Sequence, residues 1–232
     1  ACGGDLVVHA CCSDSRKVQR GDLFVALVGA NYDGHDFVSE AVARGAMAVV
    51  AERPLPDYGA PVVVVDDTRD AHGRICQALV GWPANDLRVV GITGTNGKST
   101  TAALVASVLN VAGGRAGMLS TLGYTDSLTS APAPRSTPPP ALLANWLGQM
   151  AAECCTHAVL ELSSHALARG YLAGVDLDTA CITNITRAHL NEHSTLDRYR
   201  RTKARILDLL SADALVVLNA DDPVSMRLVS EV

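Results

Sequence analysis

The segment GITGTNGKST, residues 91–100, decides how this sequence is interpreted, because it is rich in glycine and ends in Lys98-Ser99-Thr100. The common phosphate-loop pattern G-x-x-x-x-G-K-[ST] requires glycine at position 92, where this chain has Ile92. Its glycines stand at 91, 94 and 97. The segment is therefore either an ordinary glycine-rich turn or a phosphate loop of a particular kind.

The flanking sequence favours a phosphate loop. A strand is predicted at residues 87–92 and a helix at residues 98–112. Glycines let backbone N–H groups approach phosphate oxygens at the positive end of the helix. Lys98 then reaches the β- and γ-phosphates, and the hydroxyl of Ser99 or Thr100 can hold Mg²⁺. A tight turn explains the glycines but not the Lys-Ser-Thr sequence. The predicted nucleotide-binding residues are Gly94, Thr95, Asn96, Gly97, Lys98, Ser99 and Thr100.

Strand-like and helix-like segments alternate along the whole chain, which predicts an α/β fold with mainly parallel sheets. In the first part, strands are predicted at 23–27, 46–52 and 61–66 and helices at 37–44 and 69–80, with Thr68 as the N-cap of the latter. Residues 81–86 break both periodicities, so the predicted domains are 1–82 and 83–232.

The second part continues the alternation after residue 112. Strands are predicted at 116–122, 156–162, 178–184 and 214–219, and residues 125–136 are predicted to form a loop. A helix is predicted from the N-cap Thr137 and Pro138 to about residue 153, and another at 195–210. Because the chain begins at Ala1 without a methionine and stops at Val232 inside a predicted helix, we expect a fragment of a longer protein.

Composition excludes several classes of protein. The 232 residues carry a formal charge of −5 with acids and bases interspersed, so no nucleic-acid partner is predicted. Apolar runs are far shorter than the ~20 residues that a bilayer requires, so no membrane partner is predicted either. The seven cysteines lack C-x-x-C spacing, and we interpret them as small buried hydrophobic residues in a reducing cytosol.

Lys203 lies on the wrong side of its predicted helix. Residues 196, 199, 206, 207 and 210 form an apolar stripe, with Lys203 in its middle, while Arg198, Arg201 and Arg205 lie opposite. A lysine can snorkel out of an apolar face. At the centre of the stripe, however, its amine must be desolvated or paired, and desolvation makes a neutral amine available near pH 7.

The loop pattern G-x-x-G-T-N-G-K-[ST] resembles the ATP loop of the Mur ligase family, the cytoplasmic peptide-forming ligases of cell-wall synthesis. Other segments stand in the order this family would place them. In the first part they are Asp14-Ser15-Arg16, GDLFVAL at 21–27 and Asp33-Gly34-His35; in the second they are Ser136-Thr137-Pro138, ELSSHAL at 161–167 and Thr183-Asn184. The SSHAL sequence resembles the branch that adds the third residue of the stem peptide, rather than the MurF branch.

This resemblance implies an ATP-dependent, ADP-forming ligase that works with Mg²⁺. It would add an amino acid to UDP-N-acetylmuramoyl-L-alanyl-D-glutamate through an acyl phosphate, in the cytoplasm and as a monomer. Domain 1–82 would bind the UDP-sugar and domain 83–232 would bind ATP. Ser15, Ala30, Asn31 and Tyr32 would contact the uridine diphosphate, and Ser136, Thr137 and Ser163 the muramoyl peptide.

The metal and catalytic residues also follow from the resemblance. Mg²⁺ would be held by Ser99, Glu161, His189 and Lys203, the last as a carbamate formed from CO₂ and its neutral amine. Lys98, Lys203 and His189 would be the catalytic residues. Taken singly, Ser15 is also explained as a turn residue, Thr137 as a helix cap and His189 as a loop histidine.

Three departures from the family pattern are visible. Both aspartates of the family's Asp-His-Leu-Asp-x-His segment are missing, because Ala188 and Asn191 stand there. Tyr171 stands where the family commonly has a substrate-binding arginine, so Arg169 would have to take over that role. A third domain that selects the amino acid would lie beyond Val232, so we expect these residues to bind ligands without appreciable ligation. A simple P-loop hydrolase or kinase, a MurF-like ligase and a non-catalytic binding fragment are the alternatives.

Overall fold

The computed structural model describes residues 6–29, 31–186 and 195–231. The chain divides into two compact units, Ala1–Leu79 and Val80–Val232. Each unit contains a sheet with parallel strands and flanking helices, so the predicted α/β class is confirmed. No helix in the described ranges has the length and apolar character needed to span a bilayer.

The first unit is built on a four-stranded parallel sheet in the order β1-β2-β3-β4. The strands are β1 (Cys11–Cys12), β2 (Leu23–Val25), β3 (Ala48–Ala51) and β4 (Val62–Val64), and the helices are α1 (Val38–Ala43) and α2 (Thr68–Leu79). Alternate side chains of β2 point to opposite faces, so Phe24 packs in one apolar cluster and Leu23 and Val25 pack in another. Both faces of the sheet are therefore buried at β2 and β3, whereas Val63 and Val64 of the edge strand β4 are exposed.

The second unit is built on a seven-stranded sheet in the order β11-β10-β5-β9-β6-β7-β8. Its strands are β5 (Arg88–Thr93), β6 (Ala116–Ser120), β7 (Gly123–Thr125), β8 (Ser130–Ala131), β9 (His157–Glu161), β10 (Leu177–Ile182) and β11 (Leu210–Leu218). All neighbouring pairs are parallel except those made by β7 and β8, which are antiparallel.

Helices cover both faces of this sheet. They are α3 (Lys98–Val111), α4 (Pro140–Ala152), α5 (Ser164–Ala168), α6 (Leu196–Ala204) and α7 (Pro223–Met226). Ala102 and Ala106 of α3 pack with Ile92 and Val159 on one face. Leu143, Leu147 and Met150 of α4 belong to the larger cluster on the other. Burial of these apolar faces, at roughly 25 cal/mol per Å², is the main favourable term in holding the layers together.

The centre of the sheet decides where a ligand can bind. Strand β5 lies between β10 and β9. The chain runs from β5 to β6 on one side of β5 and from β9 to β10 on the other, so these two connections cross the sheet in opposite directions. In open α/β sheets, ligands bind in the crevice that forms at such a switch point, at the carboxyl ends of the strands. The segment 94–97 leaves β5 at this place.

Two predicted helix caps are wrong. Asp67, not Thr68, accepts hydrogen bonds from the N–H groups of Arg69 and Asp70. Thr68 lies in the helix, where its backbone N–H and its hydroxyl both donate to Glu52 Oε1. Helix α4 begins at Pro140, with Pro139 at the N-cap position. Thr137 therefore does not cap this helix, and its hydroxyl is engaged elsewhere.

Several element boundaries also differ from the prediction. Helix α6 ends at Ala204, and β11 begins at Leu210, where the prediction continued the helix. The predicted loop 125–136 contains β8 and the end of β7, because hairpin pairing across residues 123–131 is not visible in hydrophobic periodicity. The short elements β1 and α5 were not predicted.

Candidate nucleotide and substrate site

The glycine-rich loop joins β5 to α3 in the predicted strand–loop–helix arrangement. Gly97 adopts a left-handed conformation with φ +82°, and no side chain caps α3 in the described chain. The N–H groups of the first helical turn are therefore not satisfied by a cap and point along the positive end of a 14-residue helix. A Cβ at Gly97 would have no heavy atom within 4 Å, so the loop is open on this side.

The loop is fixed by the two residues that directly follow the neighbouring strand β10. Thr95 N–H donates to Asn184 O at 2.8 Å, and Asn96 N–H donates to Asn184 Oδ1 at 3.0 Å. Thr183 Oγ1 and Asn184 Nδ2 both donate to Asn96 O, at 2.6 and 3.1 Å. Thr183 and Asn184 therefore hold the loop in one conformation, a role that sequence patterns did not assign to them.

Lys98 and Lys203 meet at the start of this loop. Lys98 Nζ donates to Gly94 O at 3.1 Å and to Thr95 O at 2.9 Å. Lys203 Nζ donates to the same Gly94 oxygen at 2.7 Å. It also lies 4.7 Å from the ring centroid of Tyr199, one helical turn earlier. Both amines are thus brought to the carboxyl end of β5.

Lys203 is buried, as its place in the apolar stripe predicts. Only 1% of the residue is exposed, and Tyr199 and Ile206 are equally buried. Burial is the main cause and the nearby charge of Lys98 the second, and together they lower the pKa of Lys203 to about 7. An appreciable fraction of this amine is therefore neutral at physiological pH. Burial also lowers the pKa of Lys98, but there the charge of Glu161 acts in the opposite direction.

Glu161 places a buried carboxylate on the same cleft. It ends strand β9, is 2% exposed and accepts hydrogen bonds from both the N–H (2.9 Å) and the hydroxyl of Thr121. The cleft has a volume of about 450 Å³. Its lining comprises Lys98, Thr121, Arg135, Ser136, Thr137, Glu161, Ser163, Ser164, His165, Tyr171, Tyr199 and Lys203. One cleft therefore brings together six of the predicted site residues: Lys98, Ser136, Thr137, Glu161, Ser163 and Lys203.

Thr137 and Ser163 join two segments of this lining. Thr137 Oγ1 donates to Glu161 O at 2.8 Å and accepts from Ser163 N–H at 2.9 Å. The hydroxyl of Ser163 caps α5 by accepting from Ala166 N–H at 3.1 Å. Thr137 is 3% exposed, so its hydroxyl fixes the 136–138 segment beside β9 rather than capping a helix.

Other predicted residues are placed differently. Arg169 is exposed at the end of α5, whereas Tyr171 lines the cleft with its ring packed edge-on against His165. Ser99 is half-buried and Thr100 exposed in the first turn of α3. The predicted ligand His189 lies outside the described residues. Arg135 also lines the cleft and was not predicted, although its place directly before Ser136-Thr137 was an available signal.

The first unit has a cavity of its own, of about 580 Å³. The predicted residues Ser15 and Tyr32 both line it, together with Asp14, Arg16 and Glu40. Ser15 is 6% exposed and donates to Glu40 Oε2 at 2.8 Å, while 74% of Tyr32 is exposed. Asn31 is exposed in the same turn, and Ala30 lies outside the described residues.

The Asp33-Gly34-His35 segment anchors this cavity wall. A Cβ at Gly34 would lie 2.6 Å from Leu27 N, so only glycine allows the segment to approach the backbone that follows β2 so closely. His35 is buried, and its Nε2 accepts from Glu52 N–H at 2.9 Å. Hydrogen bonds from the His35 backbone and side chain, and from Arg53, lower the pKa of Asp33 to about 2. Asp33 therefore remains a charged partner for His35 and Arg53 above that pH.

The fold and the cleft are those of P-loop α/β proteins, in which a strand, a glycine loop and an uncapped helix form the nucleotide site. Residues 92–232 match the Mur ligase middle domain, and residues 7–79 match the Mur ligase family catalytic domain. The chain belongs to the Mur ligase family.

Individual relatives support this assignment. The chain is 41% identical over 229 residues to the UDP-N-acetylmuramoyl-L-alanyl-D-glutamate--2,6-diaminopimelate ligase of Geobacillus kaustophilus, covering 96% of this chain and 47% of that protein. It is 38% identical over 238 residues to the protein of the same name from Chlorobium phaeobacteroides, covering 100% of this chain and 46% of the relative. The chain thus spans about half the length of the curated relatives it matches.

Solved structures of this family are also similar. A structure of a UDP-N-acetylmuramoyl-L-alanyl-D-glutamate--2,6-diaminopimelate ligase matches with a TM-score of 0.81 and 32% identity, covering 96% of this chain and 45% of that one. The MurF ligase of Thermotoga maritima in complex with ADP matches with a TM-score of 0.61 and 26% identity, covering 98% and 49%.

Proposed function

We propose that this protein takes part in an ATP-dependent, ADP-forming ligation that adds an amino acid to UDP-N-acetylmuramoyl-L-alanyl-D-glutamate, a precursor of peptidoglycan. The observation that carries the proposal is the convergence of Lys98, Glu161 and Lys203 on one cleft at the end of β5. The names of the relatives support the substrate, and they make 2,6-diaminopimelate the first amino acid to test.

The reaction has two steps. In the first, a carboxylate oxygen of the substrate attacks the γ-phosphorus of ATP, the bond to the β-phosphate oxygen breaks, and an acyl phosphate and ADP result. In the second, the amine of the incoming amino acid attacks the acyl carbon and phosphate leaves. ATP is required because a carboxylate alone is a poor electrophile.

We assign the phosphates of ATP to residues Gly94, Thr95, Asn96, Gly97, Lys98, Ser99 and Thr100. The open side of the loop at Gly97 and the uncapped N-terminus of α3 fit an anionic group. Lys98 Nζ, which donates to two loop carbonyls, can transfer its hydrogen bonds to phosphate oxygens while it keeps its charge. Its role is to stabilise negative charge on the transferred phosphoryl group.

The donor set also fits Mg²⁺, which prefers oxygen ligands. Glu161 supplies a buried carboxylate on the cleft, and Ser99 supplies a hydroxyl at the start of α3. We propose His189 and a carbamate on Lys203 as further ligands. When bound, Mg²⁺ would neutralise charge on the phosphates.

Lys203 is proposed to be carbamoylated. Its neutral amine nitrogen attacks the carbon of CO₂ and loses one proton, which gives an N-carboxylate anion. The pKa of about 7 supports this step, because only the unprotonated amine is a nucleophile. A carbamate would also remove the electrostatic repulsion between Lys203 and Lys98.

The remaining assignments concern the UDP-sugar substrate. We assign the uridine diphosphate to the 1–82 domain through Ser15, Ala30, Asn31 and Tyr32, and the muramoyl peptide to Ser136, Thr137 and Ser163 in the 83–232 domain. The cleft lining suggests Arg135 as the cation for the substrate carboxylates in place of Arg169, since both side chains are exposed but only Arg135 lines the cleft. We place the reaction in the cytoplasm, where ATP and nucleotide-linked sugars are available, and propose a monomer.

Calorimetric titration with ADP, ATP and UDP-N-acetylmuramoyl-L-alanyl-D-glutamate tests the proposal, alongside assays of phosphate release and ligation. Wild type is expected to bind both ligands. Lys98→Ala is expected to weaken ATP binding at least tenfold while UDP-sugar binding is retained, and Lys17→Ala is the control lysine. Phosphate release that does not depend on the UDP-sugar would instead identify a P-loop hydrolase. Absence of nucleotide binding would overturn the proposal.

A further inference from the structure

Three potential metal ligands converge in the first unit, and none of them lines the cavities described above. Cys11 lies in β1, and His72 and Cys76 lie in α2. The two cysteine sulfurs and one ring nitrogen of His72 all lie within 4.8 Å of one another. From sequence alone these cysteines are predicted only to be small buried hydrophobic residues, because the cluster is assembled by tertiary packing.

The fold produces this arrangement in two ways. His72 and Cys76 are four residues apart, so a helix places them on the same face, one turn from each other. That face packs on the sheet, where Ile75 and Ala71 join Cys11 around a cluster that includes Leu23 and Val25. The edge strand β1 thereby presents the Cys11 sulfur to the helix.

Burial distinguishes this cluster from a chance surface grouping. His72 is 6% exposed and Cys76 is 3% exposed, while Cys11 is half-buried. The two α2 ligands are therefore held in place by packing. The partial exposure of Cys11 leaves a route by which an ion and a water molecule can reach the cluster.

The donor set selects the kind of ion. Thiolate and imidazole ligands suit Zn²⁺, whereas Mg²⁺ prefers oxygen. Two sulfurs bound to one tetrahedral Zn²⁺ at about 2.3 Å lie about 3.8 Å apart. The separation of at most 4.8 Å can close to that value by a side-chain movement of about 1 Å.

We propose that Cys11, His72 and Cys76 form a Zn²⁺ site, with two thiolates and one imidazole nitrogen bound to the ion and water as the fourth ligand. Each thiol loses its proton when the metal binds. The ion would connect the two-residue edge strand β1, which pairs with β2, to helix α2. Because Ser13–Arg16 follow β1 directly and line the first-unit cavity, zinc would also order one wall of that cavity.

The test uses the reduced, metal-free 232-residue chain. Zn²⁺ affinity is measured by competition with a chromophoric chelator, and Co²⁺ is substituted for spectroscopy. One equivalent of metal is expected, with Co²⁺ showing tetrahedral d–d bands and the charge-transfer intensity of two thiolates. Cys11→Ser, Cys76→Ser and His72→Ala are each expected to weaken Zn²⁺ binding at least tenfold, whereas Cys2→Ser, Cys12→Ser and Cys181→Ser leave it unchanged.

The wild-type cobalt spectrum keeps the proposal falsifiable even if a variant of the buried residues fails to fold. Charge-transfer intensity from fewer than two thiolates would overturn it. So would equal Zn²⁺ affinity in wild type and a folded Cys76→Ser chain. A disulfide between Cys11 and Cys76, found by thiol titration and peptide mapping of protein purified without added oxidant, would also overturn it and identify the pair as a redox site instead.

Discussion

Lys98 and Lys203 donate to the same acceptor, the carbonyl oxygen of Gly94, at 3.1 and 2.7 Å. Two ammonium groups so close together repel each other, and the buried one is the more easily neutralised. Glu161 counteracts the loss of charge on Lys98, whereas burial and Lys98 itself both favour neutral Lys203. This geometry supports the proposal that Lys98 acts as a cation for phosphate and Lys203 as a nucleophile for CO₂.

The first prediction concerns the pH dependence of stability. The pKa of Lys203 is about 7 in the folded chain and about 10.5 in the unfolded chain. Between these values the unfolded state binds more protons, so Lys203 makes the free energy of unfolding rise with pH. Below about pH 7 the burial of Lys203 lowers the free energy of unfolding by its full amount. This amount is at most about 5 kcal/mol, at about 1.4 kcal/mol per pKa unit.

Lys203→Met removes this titration and fills the same space. We expect the variant to unfold at higher urea concentration than wild type at pH 6, with the advantage shrinking steadily towards pH 9. Urea unfolding of both proteins across this range measures it, and Lys17→Met, an exposed lysine, is the control. A difference between wild type and Lys203→Met that does not change with pH would contradict the low pKa.

The second prediction concerns the carbamate itself. The chain has three lysines, so a labelled adduct can be assigned by substitution. In ¹³C-bicarbonate we expect one carbamate NMR signal, which disappears in Lys203→Arg and persists in Lys17→Arg. The signal should weaken below about pH 7, because the neutral fraction of an amine with that pKa falls about tenfold per pH unit. A signal retained in Lys203→Arg would place the adduct elsewhere.

The third prediction separates two glycines of the loop. A Cβ at Gly94 would lie 1.9 Å from Thr183 Oγ1, whereas a Cβ at Gly97 would meet nothing within 4 Å. Gly97→Ala should lower the free energy of unfolding by about 1–2 kcal/mol, which is the strain of a left-handed residue other than glycine. Gly94→Ala should lower the free energy of unfolding by more than about 3 kcal/mol, because backbone strain and a steric clash coincide there.

Chemical denaturation measures both costs, and a double substitution tests the cause. If Thr183 Oγ1 is the obstacle, Gly94→Ala combined with Thr183→Ala should be less destabilised than the sum of the two single variants. Simple additivity would show that Thr183 is not responsible.

The fourth prediction concerns the hydrogen bonds that hold the loop. Asn184→Ala removes the side-chain hydrogen bonds to Asn96 N–H and Asn96 O. The loop would then need to be ordered by the nucleotide, so we expect ATP affinity to fall about tenfold, equivalent to about 1.4 kcal/mol. Calorimetry compares this variant with Asn145→Ala, an exposed position on α4. Equal ATP affinity in the two variants would show that Asn184 does not preorganise the loop.

The sequence determined the parts of the fold that depend on local pattern. Hydrophobic periodicity and glycine spacing placed β5, the loop and the start of α3, and the buried position of Lys203 followed from a helical wheel with Tyr199 and Ile206. These predictions succeeded because the period of a helix or strand fixes which side chains face the core, whatever lies opposite.

The tertiary structure decided which distant residues meet. The role of Thr137 was predicted incorrectly as a cap, because its real partner, Glu161, lies 24 residues away on another element. Thr183 and Asn184 contact the loop only because β10 pairs with β5. Cys11 reaches His72 and Cys76 only because α2 packs on β1. Such contacts depend on strand order and on how helices pack on the sheet, and local periodicity carries no information about either.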